Sequence, residues 1–133
     1  MISPRTWIIG LGLVLLGGTC QSPEEAPDFL ETERARAMEW LSLQGARAAG
    51  SPSRVEGEWF RQVQWPIELD QRWTAFVARL AGARPEGYDR CSFGTRTGTC
   101  TRSLTGDEVS LHLRLATSGR ITRIVALLRV RTL

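Results

Sequence analysis

The chain has no lysine and one histidine, and both scarcities limit the chemistry that it offers. All 17 basic residues are arginine, a bias that a GC-rich genome explains without invoking any function. His112 is the only imidazole for a catalytic pair or a metal site, and we expect it to be a surface residue. No nucleophile motif or phosphate-binding loop is recognisable. We therefore predict no catalytic, cofactor-binding or metal-binding residue.

The N-terminus contains an apolar run, but the run is too short to cross a membrane comfortably. Residues 1–6 carry one positive charge, at Arg5, and residues 7–16 are uncharged. A transmembrane helix needs about 20 apolar residues. A charge, a short apolar run and then small residues form the layout of a secretory signal. We predict export and cleavage, with an uncleaved anchor as the alternative.

The apolar run ends in Leu16-Gly17-Gly18-Thr19-Cys20. This ending resembles the signal of bacterial lipoproteins, in which a leucine and small residues precede a cysteine that is lipidated and becomes the new N-terminus. Here the leucine lies four positions before the cysteine, where the family prefers three, and Thr19 replaces the usual glycine or alanine. The resemblance implies a membrane anchor at Cys20 and a place in the cell envelope. A periplasmic or secreted protein without lipid is the alternative.

Three cysteines are one too many for disulfides alone. Cys91 and Cys100 flank a segment whose glycines, Gly94 and Gly98, suit a hairpin turn that brings the two sulfurs together. We predict a disulfide there, which an oxidising compartment would preserve. Lipidation would then account for Cys20. Two reduced thiols in a cytosolic protein are the alternative.

The charge is unevenly distributed along the chain. Residues 21–70 hold 10 acidic side chains and 5 arginines, whereas residues 71–133 hold 4 acidic side chains and 11 arginines. This asymmetry indicates an acidic half and a basic half. Either the halves attract each other within the fold, or the basic half meets an external anionic partner.

The pattern predicts a tether over residues 21–27 and a single α+β domain over residues 28–133. Asp28 is suited to cap a helix, with Glu31 in the capping-box position, and we predict that helix over 29–49. A loop over 50–57, a helical turn over 58–65 and a second helix over 66–81 follow. That second helix would begin at Pro66, a favourable first-turn residue, and bury a stripe of apolar side chains.

Three aromatic residues lie close together, at Trp59, Phe60 and Trp65. A small domain needs large apolar groups in its core, so we expect them to be buried there. A ligand pocket is the alternative.

The C-terminal part alternates between apolar and polar residues, which predicts strands. Residues 109–116 form one strand, Ser118 and Gly119 form a turn, and residues 121–130 form its partner. A two-residue turn would place Leu113 opposite Ile124 and Arg114 opposite Arg123.

These strands carry four arginines that we predict to form a basic surface: Arg114, Arg123, Arg129 and Arg131. Guanidinium groups bind carboxylates and phosphates in a bidentate manner, so an anionic small molecule or an acidic protein face would fit. A solvated face, or one covered by the acidic half, is the alternative. The export signal disfavours nucleic acid as a partner.

The elements together predict an α+β fold with two or three N-terminal helices packed on one face of a C-terminal antiparallel sheet of three to four strands. The order of the elements, together with the closing pattern of residues 108–115 and 119–124, resembles the NTF2-like and cystatin-like folds over roughly the last half of the chain. Members of these families include enzymes and binding modules. We predict a lipid-anchored envelope binding module. The alternatives are a small NTF2-like enzyme with a pocket between helices and sheet, and a structural envelope protein.

Overall fold

The computed structural model describes residues 28–132, which form two helices and seven strands. In chain order the elements are α1 (Phe29–Leu43), β1 (Ala46–Ala48), β2 (Ser53–Glu56), β3 (Phe60–Leu69), α2 (Trp73–Ala81), β4 (Arg90–Phe93), β5 (Thr97–Leu104), β6 (Asp107–Thr117) and β7 (Thr122–Thr132). The predicted signal, its Cys20 and the tether lie outside the described residues.

All seven strands belong to one antiparallel sheet in the order β1-β3-β7-β6-β5-β4, with β2 also pairing with β3. The predicted α+β class is therefore correct. The predicted count of three to four strands is too low, and only one of the two described helices precedes the sheet. Neither of these helices is long and apolar enough to cross a membrane.

Helix α1 begins as predicted and ends early. The Asp28 carboxylate accepts a hydrogen bond from the Leu30 backbone N–H at 3.1 Å, which satisfies one of the free donors of the first turn. Glu31 pairs with Arg34 rather than completing a capping box. The helix stops because Gly45 adopts a φ of 98°, a left-handed conformation that suits glycine. Strand β1 then occupies residues predicted to be helical.

Strand β3 replaces the predicted helical turn over 58–65 and the start of the predicted second helix. Its buried residues alternate strictly with more exposed ones, which is the two-residue period of a strand. The buried residues are Val63, Trp65, Ile67 and Leu69. Helix α2 therefore begins only at Trp73. The stripe predicted for it comprises Leu69, Trp73, Phe76, Val77 and Leu80; within the helix Trp73, Phe76 and Leu80 are buried and Val77 is partly buried, whereas Leu69 is a buried residue of β3.

Pro66 is tolerated inside β3 because the two short strands that pair with one side of β3 leave a gap beside it. Strand β1 pairs with residues 67–69 and β2 with residues 61–64, so the edge strand is interrupted opposite Pro66. The Pro66 carbonyl still accepts the Ala49 N–H at 2.9 Å. A proline lacks the N–H that a continuous ladder requires, and here no ladder hydrogen bond is lost.

The last hairpin has the predicted buried face but a different register. Leu113 lies opposite Ala126 rather than Ile124, because β6 ends at Thr117 and β7 starts at Thr122, with an irregularity between Leu115 and Thr117. The predicted two-residue turn is therefore too short. A shift of two positions keeps each side chain on its face, whereas a shift of one would have exchanged the faces.

Both helices pack on the same face of the sheet and share one hydrophobic core with it. Leu41 of α1 and Phe76 of α2 are fully buried in this core, together with Ile124 and Leu128 of β7. The tryptophans fix the surrounding segments, since the Trp73 indole N–H donates to the Gly94 carbonyl at 3.1 Å. The opposite face of the sheet carries no helix within residues 28–132.

Cys91 of β4 and Cys100 of β5 are directly paired residues whose sulfurs lie at disulfide-bonding distance, as predicted. The bond ties the edge strand β4 to the sheet, and Cys100 is buried in the core. The turn closes where the Gly94 N–H donates to the Thr97 carbonyl at 2.7 Å.

Replacing both Cys91 and Cys100 with alanine should lower the free energy of unfolding by about 2 to 3 kcal/mol, because a short loop is then free in the unfolded chain. Urea denaturation measures this loss. A reductant should destabilise the wild-type protein similarly and leave the double variant unchanged. Equal midpoints for the reduced and oxidised wild-type protein would contradict the crosslink.

Candidate anion-binding face

The side of the sheet opposite the helices is called the open face below. It is formed by the even-numbered residues of β3 and β6 and the odd-numbered residues of β5 and β7, together with their neighbours on β1, β2 and β4. Its carboxylates are Glu68 and Glu108, and Asp70, which directly follows β3, pairs with Arg47 at the edge of the face. Its arginines are Arg47, Arg90, Arg114, Arg123, Arg129 and Arg131. The strands of the open face therefore carry an excess of positive charge.

Two of the four predicted arginines are partly neutralised by these carboxylates. Arg131 binds Glu108 at 2.8 Å, and Arg123 binds Glu68 at 3.3 Å. The Glu68 carboxylate also lies 3.5 Å from Arg47. The arginines of these pairs are about half or more exposed to solvent, so each pair contributes little to stability, typically below about 1 kcal/mol.

Arg129 is held by uncharged partners in the middle of the face. Its Nε donates to the Gln62 side-chain oxygen at 3.0 Å, and its guanidinium carbon lies 5.5 Å from the centroid of the Phe60 ring. Neither partner is an anion, so neither one neutralises the positive charge of this guanidinium. The cation–π contact orients it on the face.

Arg114 is the most available of the predicted arginines. It is exposed, lies opposite Val125 rather than Arg123, and forms no ion pair with any residue between 28 and 132. The predicted pairing of Arg114 with Arg123 is therefore wrong, since the observed register separates the two residues along the strands. Arg114 borders a depression of about 360 Å³ at the centre of the face.

The depression combines an apolar floor with polar walls. Val125 and Leu127 form part of the floor, and both remain half-exposed because nothing among the described residues covers them. The walls include Gln64, Thr97 and Thr99. Sequence reasoning did not single out these three, although their alternation within strands was a usable signal.

His112 also lines the depression, half-buried between two hydroxyl groups. Its Nδ1 lies 3.3 Å from the Thr99 hydroxyl and its Nε2 lies 2.9 Å from the Ser110 hydroxyl. Burial lowers the pKa of His112 below 6.5, the Arg129 guanidinium lowers it further, and Glu108 opposes the change. Its hydrogen-bond partners in the described structure are thus hydroxyls, not a carboxylate of the kind a general acid–base pair uses.

The three predicted aromatic residues do not form one cluster. Trp65 is buried in the core, Phe60 lies on the open face beside Arg129, and Trp59 is 63% exposed in the turn before β3. The core interpretation is correct for Trp65 alone. In the described part of the chain, no group of His, Cys, Asp and Glu side chains is arranged to hold a metal ion.

Comparison of the chain with protein-family models, with curated proteins and with solved structures finds no match. The interpretation of the open face therefore depends on its own geometry and charge.

The titration of His112 provides a test of this environment. Because the folded protein protonates His112 at lower pH than the unfolded chain does, the contribution of this residue to stability should decrease as the pH falls below about 6.5. Replacing Arg129 with glutamine should raise the pKa of His112, whereas Arg123→Gln should leave it unchanged. NMR titration of the single histidine measures this pKa. A wild-type value above the ordinary one would refute the described surroundings.

Proposed function

We propose that the protein is a non-catalytic binding module whose open face docks an acidic protein surface. The observation that carries this proposal is the uncovered sheet face on which arginines outnumber carboxylates, with Arg114 unpaired within residues 28–132. Guanidinium groups are well suited to bidentate binding of carboxylates.

The distance over which the arginines are spread favours a protein surface over a small anion as the partner. Arg123 and Arg131 lie at opposite ends of β7, which corresponds to about 26 Å at the rise of an extended strand. A small ligand would reach one end only. The four long strands offer a face of roughly 600 Å², comparable with the about 800 Å² that each partner buries in a standard protein interface.

The acidic half of the chain does not cover this face where the structure describes it. Helix α1 carries Glu31, Glu33 and Glu39 and packs on the opposite side of the sheet. Asp28 pairs with Arg54 at the start of that helix. The acidic half therefore supplies Glu68 as a partner of Arg123 but leaves Arg114 and Arg129 without a carboxylate partner among residues 28–132.

The proposed setting is the cell envelope, with the module attached through lipidated Cys20. The disulfide between Cys91 and Cys100 supports an oxidising compartment. The tether over 21–27 would separate the folded residues from the membrane surface. An enzyme with a pocket between helices and sheet, and a structural envelope protein, remain the alternatives to a binding module.

Replacing Arg114 and Arg123 with serine should weaken binding of a polyglutamate peptide about tenfold, because two charge-assisted contacts are lost. Isothermal titration calorimetry at low salt measures the affinity. The matched control is Arg72→Ser with Arg79→Ser, which removes two exposed arginines from the helix side. Equal losses in both variants would reveal non-specific attraction and contradict the proposal. Inorganic phosphate binding as tightly as the peptide would favour a small anion.

Intact-mass analysis of the protein purified from bacterial membranes tests the proposed envelope location separately. A chain that starts at Cys20 and carries a diacyl or triacyl modification is the expected result. Cys20→Ser should abolish the added mass, and Cys91→Ser should not, since only the first cysteine belongs to the lipoprotein-like signal. A mature chain that retains Met1 without lipid would overturn the envelope assignment.

A further inference from the structure

A second candidate site lies on the helix side of the sheet, away from the open face. A cavity of about 280 Å³ separates α1 from residues 85–88. The Trp40 indole N–H donates to the Ala83 carbonyl and anchors this segment to the helix. Ligand cavities commonly measure about 300 to 1,000 Å³, so a ligand of this site would be small.

A buried carboxylate forms part of the wall. Glu33 is 3% exposed and lies on the core-facing stripe of α1. Its oxygens lie 2.7 Å from Arg102 Nη2 and 3.3 Å from Arg36 Nη1. Gly87 has a φ of 87°, and a Cβ there would lie 3.2 Å from the Arg102 guanidinium, so the backbone passes close to the ion pair. Burying a charge is costly unless an opposite charge lies next to it, and here Arg102 and Arg36 compensate the buried Glu33 carboxylate.

Beside this ion pair lies a buried hydroxyl without a partner. Tyr88 lines the cavity and is 9% exposed, and its hydroxyl makes no hydrogen bond to any described residue. The Arg102 Nε is likewise buried and unpaired within the described chain. Burial, reinforced by the charge of Glu33, raises the pKa of Tyr88 to about 12, so the hydroxyl keeps its proton and remains a donor. Buried polar groups are normally satisfied, which makes these two unusual.

The charges around the cavity balance to within one, with three carboxylates against two guanidiniums. Glu33, Glu39 and Glu86 line it together with Arg36, and Arg102 lies behind Glu33. Such a wall offers both acceptors and donors and does not strongly favour a cation or an anion. The apolar surface of Trp40 and Leu43 completes it, and Leu43 is 71% exposed at the rim. Hydroxyl groups match this wall because each one both donates and accepts.

We propose that this cavity binds a neutral polyhydroxyl ligand of about the size of one sugar ring. The Tyr88 hydroxyl supplies a hydrogen bond to the ligand, the carboxylates at the wall accept from its hydroxyls, and Trp40 and Leu43 contact its carbon skeleton.

The single tyrosine makes the test direct, because tyrosine labelled with ¹³C gives the signal of Tyr88 alone. The full-length protein is titrated with three probes of one ring shape: neutral glucose, anionic glucuronate and cationic glucosamine. Glucose should shift the Tyr88 signal in a saturable manner. The two charged probes should bind about tenfold more weakly, because each adds an unpaired charge. Failure of glucose to shift the signal would overturn the proposal, as would tighter binding of either charged sugar.

A variant that removes only the hydroxyl tests its role. Tyr88→Phe keeps the ring and the packing, so the protein should fold, and the Trp40 indole N–H signal then reports binding. Affinity for glucose should fall about tenfold. Thr101→Val, which removes a hydroxyl from the open face, is the matched control and should bind glucose like the wild type. Unchanged affinity in Tyr88→Phe would show that the hydroxyl does not contact the ligand and would refute the site.

Discussion

One-sided burial of the sheet is the constraint on which the rest of the structure depends. The buried apolar residues of β3, β6 and β7 occupy alternate positions along each strand, and both helices cover the face that these residues form. A sheet of this kind gains most of its stability from that single face. The opposite face is consequently free to carry arginines, hydroxyls and a half-exposed apolar centre without penalty to the core.

The two candidate sites depend on different physical conditions. On the open face the charges are solvated, so they add little to stability and remain available to a partner. On the helix side, Glu33 and Arg102 are largely desolvated, and the charge of each compensates the buried charge of the other. The open face is therefore suited to broad electrostatic contact, whereas the cavity beside Tyr88 is suited to a small ligand held by directed hydrogen bonds.

Local pattern predicted several elements correctly. Asp28 caps α1, the segment between Cys91 and Cys100 forms the predicted hairpin with Gly94 in its turn and Gly98 in β5, and the alternation after Val109 forms a strand with the expected buried face. The same reasoning failed at Pro66. The prediction gave more weight to the preference of proline for a helix start than to the alternation from Val63 to Leu69, which indicates a strand. The gap between β1 and β2 that accommodates this proline is a property of the neighbouring strands and is not visible in β3 itself.

The sequence by itself determined which side chains share a face, because the two-residue period of a strand and the stripe of a helix are local properties. Only the tertiary structure decided which residues lie opposite one another. The loop after Thr117 shifts the last hairpin by two positions, which moves Arg114 away from Arg123 and places Glu108 opposite Arg131. The pairing of β3 with β7 places Glu68 opposite Arg123. Glu33, Tyr88 and Arg102 meet only because α1, a loop and β5 pack together. Such long-range contacts depend on turn lengths and packing across the whole fold, and no local pattern encodes them.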